Sequence, residues 1–213
     1  MLIDNKINRY SEDGLDMKTV WDFINEYAGK SSGQEGEMDI VTGYFTVRAL
    51  ARLYHEIPET DQYRIVSSEM VKDDMEEERI LDLLNGEPDF ETAVDLDQYA
   101  QDAKAFLKRN NVQVRAIVDA FCHAKAYMFK NRDSHDDSFY LSGSSNLTDA
   151  GLGLKASSNV ELNTGRPCKK SDNDYKEICS WFEDIWKSAK DEIPVDRKNP
   201  KSAKVSVKEY FIK

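Results

Sequence analysis

The sequence predicts an α/β domain in which a mixed, mostly parallel sheet is sandwiched between helices. Three observations carry that expectation. Short apolar runs alternate with amphipathic stretches along most of the chain, the pattern of strands joined by crossover helices. The runs are near-continuous rather than alternating, as in "MDIVTGYF" from Met38, so the strands are expected to be covered on both faces. A chain of 213 residues, 40% hydrophobic and 32% charged, is long enough for one domain with a large core.

The elements follow in order. "MKTVWDFINEY" places Val20, Phe23, Ile24 and Tyr27 at helical spacing. "GKSSGQEGE" is a loop by its Gly and Ser content. "MDIVTGYF" is a strand, "TVRALARLYHEI" a helix entered through Thr46, and "YRIVSSE" a second strand. One helix is expected near Glu77 to Leu84, and another from Leu96 to Arg109, closed by Asn110 and Asn111. "VQVRAIV", "FCHAKAYMF", "SFYLSG" and "NVELNT" read as four more strands, and "DYKEICSWFEDIWKSAK" as an amphipathic helix. The tail from 194 to 213, rich in Pro and Lys, reads as a linker leading to a further domain. The expected organisation is therefore one domain over 1–193, with an acidic helical insertion at about 71–102.

Charge is distributed unevenly. The formal net charge is −11, and residues 71–102 hold twelve acids against only Lys72 and Arg79. The rest of the chain is close to neutral and has room for a basic groove. The block itself reads as a solvated helical insertion; a mimic of a nucleic-acid strand is the sharper alternative. The start of the chain lacks a secretory pattern, and no apolar run approaches a membrane span, so a cytoplasmic protein without a membrane partner is expected. Three cysteines without regular spacing fit a reducing compartment and no zinc site.

The chemistry concentrates in "FCHAKAYMFKNRDSHDDSFYLSGSSNLTDAG", Phe121 to Gly151. In a strand, residues two apart share a face, so His123 and Lys125 are expected to point the same way, flanked by Phe121 and Tyr127. A buried lysine is costly without a partner, and an anionic ligand such as phosphate would relieve it. Lys supplies a point charge; imidazole supplies a nucleophile or a proton. The next strand ends in Gly143-Ser144-Ser145-Asn146, whose side chains are neutral donors suited to phosphate oxygens. Glu161 follows on a further strand and is expected to orient the imidazole. His55 and His135 read as a helix-end and a loop residue.

Taken together, "HAKAYMF…YLSGSSNLTDAGLGLKASSNVELN" resembles the signature of the phospholipase D superfamily, in particular single-motif nuclease-type domains found alone, in some restriction endonucleases, or ahead of bacterial DEAD/DEAH-type helicases. "DIVTGYFTVRALARL" resembles the opening of the helicase-linked ones. The full family signature is H-x-K-x4-D, and here Lys130 stands at the aspartate position.

The resemblance implies a phospholipase D-like fold and a metal-independent phosphodiesterase without a cofactor, cleaving nucleic acid, DNA foremost, in a restriction or defence setting. His123, Lys125, Asn146 and Glu161 would be catalytic, and Ser144, Ser145 and Lys125 would bind substrate. The chemistry needs two histidines, and the chain has one H-x-K, so a twofold homodimer is expected. Two rivals stand beside this reading. One is an inactive DNA-binding and dimerisation module attached to a helicase, which the missing aspartate favours. The other is a lipid phosphodiesterase, against which the lack of a basic amphipathic helix counts.

Overall fold

The computed structural model describes residues 2–4, 19–29, 35–57, 60–68, 90–133, 137–154, 161–196 and 199–212. The helix expected near Glu77 to Leu84, most of the acidic block and His135 lie outside the described residues.

The chain begins with β1 (Leu2–Asp4) and helix α1 (Val20–Ala28). Thr19 caps α1: its hydroxyl accepts from Asp22 N, and its own N–H donates to the Asp22 carboxylate, both at 3.0 Å. Two βαβ units follow: β2 (Gly36–Thr42), α2 (Val47–Glu56), β3 (Thr60–Ser68), α3 (Phe90–Lys108) and β4 (Val112–Ile117). Thr46 caps α2 as the sequence predicts, accepting from Ala49 N at 3.3 Å. α3 begins six residues ahead of the expected Leu96. The second half holds β5 (Ala126–Asn131), β6 (Ser138–Gly143), a short helix α4 (Asp149–Leu152), β7 (Leu162–Cys168) and helix α5 (Asn173–Ser188).

Among the described residues, seven strands form one mixed sheet in the order β1-β7-β6-β5-β2-β3-β4. The sheet is mixed as expected but not mostly parallel. Only β2–β3 and β3–β4 run parallel, while β2–β5, β5–β6, β6–β7 and β1–β7 are antiparallel. For β5 and β6 the physical reason is connection length. β5 and β6 are joined by residues 132–137, too few for the crossover that parallel neighbours need.

Both faces of the sheet are covered. On one, Met38, Ile40, Tyr63, Ile65, Tyr127, Phe129, Phe139 and Leu141 pack with apolar residues of α1, α2 and α3. On the other, Val41, Val66, Ala126 and Met128 meet Phe182 and Trp186 of α5. Arg64 also lies on that second face, paired with Asp39 and Glu183 (Nη1 to Oε1, 2.8 Å), its guanidinium 4.7 Å from the Phe182 ring centre.

The tail departs from the expected linker. β8 (Glu192–Pro194) and β9 (Lys204–Ser206) form a hairpin, followed by α6 (Val207–Ile212). Ile193 and Val207 are buried in the main core, and Lys208 Nζ donates to Arg109 O at 2.7 Å and Val112 O at 2.9 Å, satisfying carbonyls just beyond α3. Three-residue strands leave no periodicity to read, and their apolar residues are too sparse to stand out. Among the described residues, no helix is long and apolar enough to cross a membrane.

Candidate functional site

The segment carrying His123 and Lys125 is not strand. Residues 121–125 are irregular, and β5 starts at Ala126, where its pairing with Val41 of β2 begins. The two side chains accordingly do not share one face. His123 is exposed, whereas Lys125 is 6% exposed and turns its amine back to the His123 carbonyl at 2.7 Å. Burial holds the Lys125 pKa below the ordinary lysine value, and the negative charge of Glu161 works against that shift. The flanking aromatics also part company: Tyr127 is fully buried, while Phe121 is 44% exposed.

The Gly-Ser-Ser-Asn turn closes over this segment from β6. Gly143 N donates to Lys125 O at 3.2 Å, which extends the β5–β6 ladder to the lysine itself. Glycine is required at 143, because a Cβ there would lie 2.4 Å from Leu162 O and 2.5 Å from Asn163 Oδ1. Ser144 donates its hydroxyl to Glu161 Oε2 and accepts from Leu162 N at 3.0 Å. Glu161 therefore answers Ser144 and feels Lys125, and its hydrogen bond does not go to the imidazole as the sequence reading expected. Glu161 sits at the mouth of β7 and is 8% exposed, so its carboxylate belongs to the floor of the site.

Ser145, expected to bind substrate, points into the core. It is fully buried; its hydroxyl accepts from Asn163 Nδ2 at 2.9 Å, and its carbonyl from the Tyr127 hydroxyl at 3.0 Å. The alternation of β7 explains this, since Glu161 and Asn163 share the inward face and bracket Leu162, which is 60% exposed. Asn146 is fixed through its carbonyl: Oδ1 accepts from Gly43 N at 2.9 Å and from Thr42 Oγ1 at 3.3 Å. Among the described residues, its amide nitrogen has no hydrogen-bond partner.

Residues the motifs did not flag hold this arrangement. Gly43, at the end of β2, contributes the N–H that orients Asn146; an added Cβ there would meet Asn146 Oδ1 at 3.0 Å and Cys122 O at 3.1 Å. Ser68, at the end of β3, accepts from Cys122 N at 3.3 Å. The signals were present in "VTGYF", a glycine directly after an apolar strand, and in the period-two spacing of Glu161 and Asn163.

Every one of these groups lies at the same end of the sheet. The ends of β2, β3 and β6 and the beginnings of β5 and β7 meet there, and parallel strands characteristically present their carboxyl ends to ligands. Lys130 lies at the opposite end of β5, roughly 16 Å along the strand from Lys125 at about 3.3 Å per residue. It pairs with Glu37 at 3.2 Å. At the same end, Asn131 shapes the β5–β6 turn, its Oδ1 accepting from Asp133 N at 3.0 Å. Among the described residues, no three His, Cys, Asp or Glu side chains are grouped so as to hold a metal ion.

What the arrangement can do follows from its layering. An imidazole faces solvent with no hydrogen bond to a described side chain. The same end of the sheet holds a buried ammonium, an amide donor and a hydroxyl–carboxylate pair. The imidazole can act as nucleophile or proton carrier, and the ammonium and amide can meet an anion, which the Glu161 carboxylate opposes. Neither a protein-family model nor a curated protein matches the chain.

Proposed function

We propose that this chain is a phosphodiesterase acting on nucleic acid through a covalent phosphohistidine. One observation carries the reading: His123, Lys125, Ser144, Asn146 and Glu161 come from three separate strand ends and gather at one end of the sheet. His123 attacks phosphorus, a P–N bond forms, and the P–O bond to the leaving group breaks. A second imidazole, His123 of another copy of the chain, gives its proton to the departing oxygen. That same imidazole then takes a proton from water, whose oxygen displaces the histidine from phosphorus. Lys125 and the Asn146 amide offset the charge that builds on the phosphoryl oxygens. Glu161 acts behind them by holding Ser144 and balancing Lys125. Lys130, at the position of the family aspartate, pairs with Glu37 at the other end of β5, and the inactive DNA-binding module stays the rival that the cleavage assay decides.

The test is cleavage of a labelled oligonucleotide by wild type and His123→Ala in EDTA. The expected result is turnover by wild type alone, with acid-labile phosphate trapped on His123. Mixed dimers of wild type and His123→Asn should lose most activity. Cleavage that survives His123→Ala, or stops in EDTA and returns with Mg²⁺, refutes the proposal.

A further inference from the structure

Phe121 is the one exposed aromatic beside His123 among the described residues, and the mechanism above gives it no task. Its ring centre lies 5.9 Å from that of the imidazole, with the planes at 40°. Its Cζ would be 3.7 Å from a Cβ on Gly43, the residue whose N–H fixes Asn146. The ring thus stands beside the end of β2, whose Gly43 N–H fixes Asn146, next to the nucleophile and 44% exposed. A singly exposed phenyl ring is common on protein surfaces; what marks Phe121 is its place beside the imidazole.

Resting on the phosphodiesterase reading, we propose that Phe121 is a stacking platform for an unpaired base flanking the scissile phosphate. A phosphodiester held against His123 and Asn146 carries its neighbouring nucleoside across this ring. Every base presents a π-face to such a platform, so the contact is tolerant of sequence. A base inside a duplex already has both faces covered, so the platform selects a single strand or a flipped nucleotide.

The experiment measures binding in the non-cleaving His123→Asn background. The probes are a fluorescent single-stranded oligonucleotide and an abasic deoxyribose-phosphate strand of equal length. Phe121→Ala should weaken binding of the base-bearing strand about 5- to 140-fold, equivalent to ~1–3 kcal/mol for one stacked base, and leave the abasic strand within about twofold. Phe121→Trp should retain the discrimination. Equal loss on both strands, or no loss, overturns the platform, as does conversion of a dimer to monomer by Phe121→Ala in light scattering. If the parent binds neither strand, the nucleic-acid reading falls and the platform with it. If the wild-type chain cleaves the oligonucleotide but the variants show no strand-dependent effect, only the platform falls.

Discussion

Removing Arg64 tests how the far face of the sheet supports the site. Its Nε and Nη2 bind the two oxygens of Asp39 at 2.7 and 2.6 Å, and Nη1 binds Glu183 of α5 at 2.8 Å. The guanidinium also lies 4.7 and 5.6 Å from the ring centres of Phe182 and Trp186. Arg64→Met keeps an apolar stem and leaves Asp39, 7% exposed, without its counter-charge. Breaking a buried pair costs about 3–5 kcal/mol, and the partial exposure of Arg64 points to the lower end, ~3 kcal/mol. For a chain of this size that is a fall in Tm of about 6–12 °C. Burial already raises the Asp39 pKa despite the arginine, and the loss of Arg64 raises it further. A raised folded-state value means that stability from this group is fully present below the unfolded pKa and lost as pH rises through the folded one. The variant's deficit should therefore be smaller at about pH 5 than at about pH 8. Thermal unfolding followed by circular dichroism at both pH values is the assay, with Asp39→Asn added to Arg64→Met expected to recover at least about half of the loss. A loss below ~1 kcal/mol, or no recovery in the double variant, refutes the argument.

Three further outcomes are expected. Lys125→Met should cut single-turnover cleavage by about 10²–10³-fold, as for the loss of a donor to a developing oxyanion, and Lys125→Arg should not restore it. Gly143→Ala drives a methyl against Leu162 O and should lower stability by about 1–3 kcal/mol in denaturant unfolding, with activity falling as Glu161 and Asn163 shift. Lys130→Ala should leave the cleavage rate within about twofold and change stability by less than ~1 kcal/mol, because only an exposed pair with Glu37 is lost.

Much of the scaffold was legible because burial writes itself into period and capping. α2 is entered through its cap Thr46 as read, and β4 and β6 fall where their apolar runs lie. The site was legible only as a set of residues. "FCHAKAYMF" has the composition of one strand, yet the ladder on β2 reaches only Val41 and Ala126, and that pairing decides where β5 begins. Chain direction was misjudged for the same reason, since composition records burial and not which way a neighbour runs. Ser145 was assigned to substrate because it sits inside the motif; its burial depends on Asn163, eighteen residues away. The C-terminal hairpin was missed because it holds its place through single side chains, Ile193 and Val207, instead of a repeating pattern.

The pairing of β2 with β5 joins two unlike halves of the chain, and the site straddles that seam. Gly43 reaches Asn146 across 103 positions, and Thr42 accepts from Leu147 N across 105. The parallel half, β2 to β4, is built from units close in sequence, while the seam must close a loop of nearly half the chain. Such distant closure is entropically costly and governs folding speed. On the proposed function, competence would be a property of the finished sheet. In a refolding experiment, the return of the proposed activity would time the joining of the two halves and is expected to lag behind the helical signal.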